Sequence, residues 1–337
     1  MYFLPFEVQL DIFKFFTSDQ LFDIQQTNIY LKNFINEFEE KLARKEFYKI
    51  QTLYHLEWNL NKYKFFKPDP ILYDFQLSEE LEKKWKCGIE ERIPIFLSDE
   101  DTERDIAAIN IEINRQFGNV FCSMIVTILL QNIPKNIEDM KISRCFFQQI
   151  FECAFRYVEF DTFIFNPQMI ELLFDGNKTN IPLQIHSRMA KLSIYNERFL
   201  KFALNHLISN KFNVKIHMIN RIEQLSNNLL KLLTNRGNGF YSVYYDFLDS
   251  SFYNLIIQYI ETSKNLSKMV KEIRCYNVAG DLIISERAEN VKEEVRYNNL
   301  KSRKYQLSNE YNSEMKFSIS NNERDEFWSE FEVKRIN

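Results

Sequence analysis

The sequence predicts a mixed chain of the α+β or α/β class built in three parts. These are a cluster of three N-terminal helices, a βα-repeat solenoid of leucine-rich-repeat-like layout, and an antiparallel cap at the C-terminus. Three observations carry the expectation. Residues 1–46 hold three amphipathic helical patterns, a strand-then-helix order recurs from about residue 141, and the tail breaks into short alternating segments. The corresponding boundaries are 1–46 for the helical cluster, 47–140 for a connecting mixed region, 141–300 for the repeats and 301–337 for the cap.

The first helix is read from "MYFLPFEVQLDIFKFF". Phe6, Val8, Leu10, Ile12, Phe13, Phe15 and Phe16 would cover roughly 220° of its circumference, against the 100° stripe that a single core needs. Such a helix must be covered from two directions. A second helix, "QLFDIQQ", has Ser18 or Asp19 available as its cap. A third runs from about Asn28, with Leu31, Phe34, Ile35, Phe38 and Leu42 at helical spacing. A cluster this small is close to the size at which folding alone becomes marginal.

"KPDP" at Lys67–Pro70 then interrupts the helical pattern, because each proline disfavours helix at the residue before it. Ser78 caps "EELEKKWK", which ends near Gly88. "IPIFLS" and "AAINIEI" alternate as strands do, with "DEDTERD" as an exposed acidic loop between them. Helical spacing returns from Ile137 to Phe155.

The recurring order starts with "YVEFDTFIFNPQMIELLFDG", a strand and a helix with Asn166 as cap, Pro167 at its first turn and Gly176 past its end. The segments from Pro182, Asn213 and Tyr241 repeat that order, and "KEIRCYN" begins another round. Strand anchors Val158, Leu183, Val214, Val243 and Ile273 are 25, 31, 29 and 30 residues apart, which reads as a repeat period. "KYQLSNEY", "EMKFSIS" and "EFEVKRI" suit an antiparallel meander that closes the stack.

Alternation along the strands assigns faces. Val158, Phe160, Leu183, Ile185, Val214, Ile216, Val243, Tyr245, Ile273 and Cys275 point to the helices. Glu159, Asp161, Gln184, His186, Lys215, His217, Tyr244, Asp246, Arg274 and Tyr276 point away, on one polar and aromatic face. A parallel sheet covered on both sides would be apolar on both. This face has two readings: a solvated surface, or a binding surface for a protein target in which Tyr244, Arg274 and Tyr276 anchor beside the acidic Glu159, Asp161 and Asp246. His186 and His217 close "LQIH" and "VKIH", so adjacent strands would bring them within about 5 Å, with Asp161 the one candidate third member of a metal or acid/base group.

Several classes are excluded by composition. A net charge of −4 argues against a phosphate-binding surface large enough to hold nucleic acid while leaving room for a local basic patch, and six glycines leave no phosphate-cradling loop. Five scattered cysteines without a CxxC pair read as free thiols rather than disulfides or a zinc site. No catalytic motif of the GxSxG or HExxH kind occurs, and neither cofactor nor metal is expected. The start lacks a charged region and cleavage site of the secretory kind, and the longest apolar run, Val120 to Leu130, is too short to span a bilayer. The expectation is a cytoplasmic or nuclear protein that binds no membrane.

The opening stretch resembles the F-box. Leu4, Pro5, Glu7, Val8, Ile12, Phe13 and Phe16 fall on the motif's LPxEVxxxIF pattern and the apolar position after it, while Leu21, Ile24, Tyr30, Leu31, Phe34 and Ile35 fall on its later apolar positions. The match covers Leu4 to Phe47. Phe16 replaces the usual Leu, and Thr27 and Asn28 stand where many members carry Val and a small residue. "KPDPILYDF", "LSEELEKKW", "FIFNPQMIELLFD", "LKFALNHL" and "ISERAENV" are similar to the C-terminal parts of nematode-expanded F-box families. The resemblance implies binding to a Skp-family adaptor, and through it to a cullin and a RING subunit. Leu4, Pro5, Val8, Ile12 and Phe16 would form the adaptor contact, supported by Leu21 and Leu31. It implies a substrate-recognition subunit of a Skp–cullin–F-box ubiquitin ligase that performs no chemistry itself; the alternative is an F-box scaffold that delivers nothing for degradation.

Overall fold

A computed structural model describes residues 4–38, 42–53, 64–98, 106–117, 120–174, 183–217, 222–235, 237, 239–295, 300–324 and 327–336. The acidic loop expected at 99–105 and Gly176 lie outside the described residues. The chain opens with α1 (Phe6–Phe13), α2 (Ser18–Gln25) and α3 (Ile29–Glu37), followed by β1 (Lys45–Leu53) and β2 (Lys64–Phe65). Next come α4 (Pro70–Tyr73), α5 (Glu79–Glu90), β3 (Phe96–Ser98), β4 (Ile106–Phe117), β5 (Val120–Gln131) and α6 (Ile137–Glu152). Then β6 (Cys153–Phe160), β7 (Phe163–Phe165), α7 (Pro167–Leu173), β8 (Ile185–Ile194), α8 (Glu197–His206), β9 (Leu207–Ile216) and α9 (Ile222–Asn235) follow. The remainder is β10 (Phe240–Asp249), α10 (Ser250–Thr262), β11 (Glu272–Ala279), β12 (Glu289–Val295), β13 (Lys301–Ser308), β14 (Lys316–Glu323) and β15 (Trp328–Arg335).

Thirteen of these strands form one sheet in the order β12-β13-β14-β15-β11-β10-β9-β8-β6-β1-β4-β5-β2, and β3 pairs β7 apart from it. This overturns the expected fold class of a three-helix F-box followed by a βα-repeat solenoid with a separate cap. The connecting region contributes β1, β4 and β5 to the same sheet as the supposed repeats, and the supposed cap continues it from β11 through β15. The register also removes the period. The mates of Val158 across the parallel strands are Ala190, Phe212, Val243 and Ile273. Leu183 lies before β8, and Val214 pairs Leu192 and Tyr245 instead. The true mates are unevenly spaced, because the β8-to-β9 crossover is the ten-residue α8 running into β9 without a loop, whereas the other crossovers hold either β7 with α7 or a longer helix, and each has a connection before its next strand.

One rule explains why the sheet is covered on one side. β6, β8, β9, β10 and β11 lie side by side, parallel and in chain order. Right-handed crossovers that all step the same way place α7, α8, α9 and α10 on the same face. The row Ile50–Val158–Ala190–Phe212–Val243–Ile273–Val333–Ile319–Tyr305 runs under those helices and is buried throughout. Phe146, Phe147, Phe160, Phe165 and Phe202 fill the layer between sheet and helices with edge-to-face rings, and Phe151 stacks on Phe147. The N-terminal helices have a core of their own, made of Leu10, Phe13, Leu21, Phe34, Ile35 and Leu42.

Local signals position the helix starts. Asn28, Ser78, Asn136, Asn166 and Asn196 each accept a backbone N–H at the first turn of the helix they precede. For α2 the expected caps are corrected. Thr17, not Ser18 or Asp19, closes a capping box with Gln20, because Oγ1 accepts from the Gln20 N–H while Gln20 Oε1 accepts from the Thr17 N–H.

Candidate functional site

Two surfaces bring predicted residues together. On the first, α1 starts at Phe6 with Pro5 as its cap residue and ends at Phe13, so Leu4 and Phe16 flank the helix rather than extending its row. Leu4, Pro5 and Val8 are exposed, Ile12 and Phe16 are half-buried, and Phe16 packs on Phe13 at 5.8 Å. Leu21 is buried and Leu31 half-buried against the cluster's own core, so both hold the helices together instead of facing outward. Phe6 leans on Phe34 and Phe38 yet keeps 42% of its surface exposed. Phe15 at 89% and Ile29 at 71% are the most open apolar side chains here, and Tyr30 is also exposed. Buried Gln9 ties the surface together: its Nε2 donates to the Leu4 carbonyl at 2.9 Å, and its Oε1 accepts from Tyr30 Oη at 2.9 Å. The result is a spread of apolar side chains around one buried polar link.

The second surface is the sheet face opposite the helices. One row of register mates crosses twelve strands as Lys292–Lys304–Ser320–Glu332–Arg274–Tyr244–Asn213–Lys191–Glu159–Gln51–Asn110–Thr127. Glu159 sits between Lys49 at 2.6 Å and Lys191 at 2.9 Å. Burial raises the affinity of the Glu159 carboxyl for a proton, but hydrogen bonds from both lysines outweigh it and hold the group below the ordinary carboxylate range. Arg274 joins Glu272 at 2.7 Å and Glu332 at 2.6 Å, and Lys334 reaches Glu332 at 2.9 Å. Its guanidinium lies 5.7 Å from the Tyr244 ring centre. Desolvation opposes the Arg274 charge, and hydrogen bonding to Tyr276 and Glu272 with the Glu332 charge more than restores it.

Beyond this row, Tyr276, Asp246, Lys215 and Ser193 are mates on successive strands. Asn277 Nδ2 donates to Asp246 at 2.6 Å, and Ser193 Oγ donates to exposed Asp161. Asn277 and Phe247 both take positive φ, at 51° and 62°, where β11 and β10 break their alternation to bury Val278 and Leu248. Glu159, Asp161, Lys215, Tyr244, Asp246, Arg274 and Tyr276 therefore share one continuous face.

The histidines do not meet. His186 pairs Ile208 near the start of β8, while His217 follows the end of β9 and its ring stacks on Tyr195 at 4.4 Å. Eight residues of strand separate His186 from Ile194, whose carbonyl accepts from the His217 N–H, which is roughly 26 Å. The expected pairing assumed that equal sequence spacing means equal height in the sheet, and the short β8-to-β9 crossover defeats it. His186 is half-buried, its Nε2 has no hydrogen-bond partner among the described residues, and burial, then the Arg44 charge, pushes its pKa down to about 4. It is a packed side chain rather than a presented one. Among the described residues no group of His, Cys, Asp and Glu is arranged to hold a metal ion, and no helix is long and apolar enough to cross a membrane. Cys87, Cys145, Cys153 and Cys275 are free thiols.

Sequence reasoning missed one set of side chains on this face. The pairing skips Tyr48 opposite Arg156, Arg156 opposite Arg188, Arg188 opposite Asn210, and Asn210 opposite Tyr241, without a change of register on either side. The trace of this in sequence is buried positions three apart rather than two, as in Phe155 and Val158, Ser209 and Phe212, and Phe240 and Val243.

Residues 66–217 match the model of a family described only as a domain of unknown function, DUF8381. That segment runs from just past β2 to the end of β9 and includes neither α1–α3 nor β10 onward. No F-box family model matches. No curated protein matches the chain. No solved structure matches it either.

Proposed function

We propose that the protein is a substrate-recognition subunit of a Skp–cullin–F-box ubiquitin ligase, engaging a Skp-family adaptor through its N-terminal helices and a target protein through the open sheet face. The observation that carries this reading is the exposure of Leu4, Phe6, Val8, Phe15, Ile29 and Tyr30 on one small helical cluster. Several large apolar side chains left exposed on one small cluster are what an association surface covers. They also coincide in part with the residues that resemble the F-box pattern. The face that would receive the target supports the reading through its mixture of tyrosine, arginine and paired charges, a composition suited to protein contacts.

Affinity capture of the full chain with a purified Skp-family adaptor tests this. Leu4→Ala with Val8→Ala removes side chains that are exposed, so folding is preserved, and should weaken capture by about 2 kcal/mol, on the order of thirtyfold. Equal capture by wild type and variant, or none by wild type, contradicts the reading. The second reading, a non-degradative scaffold, rests on the same surface and differs in assembly. Recovery of a cullin and RING subunit with the adaptor supports the ligase; recovery of the adaptor alone supports the scaffold.

A further inference from the structure

We propose that the line of skipped residues across the open face is a docking stripe for an extended acidic peptide segment. The stripe runs Tyr48–Arg156–Arg188–Asn210–Tyr241 on adjacent strands, and Lys271, whose N–H donates to the Tyr241 carbonyl, continues it by one strand. Arg156, Arg188, Asn210, Tyr241 and Lys271 are all exposed. Interrupting the ladder at the same height on successive strands re-aims side chains, as bulges do. Here it sends Tyr48 to the side of Tyr157, and their rings meet edge-on at 5.2 Å.

Charge is what selects the occupant. In the middle of the face the cations are already answered, Lys49 and Lys191 by Glu159 and Arg274 by Glu272 and Glu332. Along the stripe only Arg188 has such a partner among the described residues, and Arg156, Lys211 and Lys271 have none. Arg156 lies 5.8 Å from the ring centres of both Tyr48 and Tyr157. Lys271 lies over Tyr241 at 5.4 Å. Lys211, next to the skipped Asn210, is exposed and makes no ion pair among the described residues, while Arg188 is paired with the exposed Glu46 at 3.2 Å. Arg156, beside two tyrosine rings, keeps its fork of donors for a carboxylate.

The geometry fixes the form of the ligand. Six strands at about 4.8 Å span roughly 24 Å, the length of about seven extended residues. The strands beneath are already paired on both sides, so the segment lies across them and is held by side chains rather than by added ladder bonds. Glu46 and Glu272 flank the stripe, which suits a few well-spaced carboxylates better than a continuous run of phosphodiesters.

This inference rests on the reading of the open face as the receptor surface and names the chemistry of what it receives. Its test is fluorescence anisotropy of the full chain, without adaptor, using fluorescein-labelled octaglutamate, octaserine and octauridylate at low ionic strength. Octaglutamate should bind at least tenfold more tightly than octaserine, with affinity falling as salt rises. Arg156→Glu with Arg188→Glu should weaken it at least tenfold, while Lys292→Glu with Lys304→Glu, at the far end of the face, should not. If the charge reversal disturbs the thermal melt, Arg156→Gln with Arg188→Gln replaces it, with a loss of at least threefold expected. Octaglutamate affinity unchanged by these substitutions, equal binding of octaserine, or tighter binding of octauridylate overturns the proposal. Adaptor capture without peptide binding would defeat this inference alone; peptide binding without adaptor capture would defeat the ligase reading and leave the stripe standing.

Discussion

His186 and Glu159 sit on the same sheet and answer to pH in different ranges. The folded chain holds His186 near pKa 4, below its ordinary 6.5, so the unfolded chain binds a proton between those values that the folded chain refuses. Its contribution is intact above pH 6.5 and is lost as pH falls toward 4. Urea titrations of wild type and His186→Phe should therefore diverge in slope between pH 6.5 and 5, the variant being flatter. Parallel curves would show that the imidazole does not titrate there. Glu159 behaves as a depressed carboxylate, stabilising above its unfolded value and losing that effect as pH falls below it. Glu159→Gln leaves Lys49 and Lys191 facing each other without their common partner. All three are partly solvated, so the cost at neutral pH should be about 1 kcal/mol by denaturant titration, shrinking with added salt.

At the scale of elements, two glycines separate tolerable from intolerable crowding. A Cβ on Gly88 in α5 would stand 2.2 Å from Leu172 Cδ2, the tip of a side chain that turns aside. A Cβ on Gly237, between α9 and β10, would stand 2.6 Å and 2.7 Å from the Lys268 and Met269 carbonyl oxygens, which are backbone and cannot. Gly237 also donates its N–H to Lys268 at 2.7 Å. Gly237→Ala should cost about 2–3 kcal/mol and Gly88→Ala less than about 1, compared by thermal melts. Elements were also where sequence spoke most clearly. Asn28, Ser78 and Asn166 announce their helices because a cap is a contact within three residues, and Pro167 follows Asn166 for the same local reason. At α2 the expectation of Ser18 or Asp19 passes over Thr17, although Thr and Gln three apart form the capping-box pattern. The alternation of Val243 and Tyr245 against Tyr244 and Asp246 is likewise written in neighbouring residues. What alternation cannot carry is height. Nothing near Val158 says that its mates are Ala190 and Phe212, because that depends on crossover length.

For the whole molecule, strand order was the illegible part. The segments of β1, β4 and β5 look like a connector, and only long-range pairing shows that they extend the sheet past β6. The candidate surfaces follow from that architecture. Crossovers stepping one way leave one face open, and α1–α3 bury a small core apart from the large one. A six-residue core is a weak anchor, so amides of α1–α3 should exchange with deuterium well before those of β8, β9 and β10, and uniform protection would mean that the two cores unfold together. The central claim is that the small cluster exists to be covered by another protein. Hydrogen–deuterium exchange of the full chain, with and without a saturating Skp-family adaptor, tests it most directly. The account predicts new protection confined to residues 4–16 and the start of α3 at Ile29–Tyr30, with β6–β11 unchanged. Unaltered exchange throughout, or protection on the sheet instead of the helices, would contradict it.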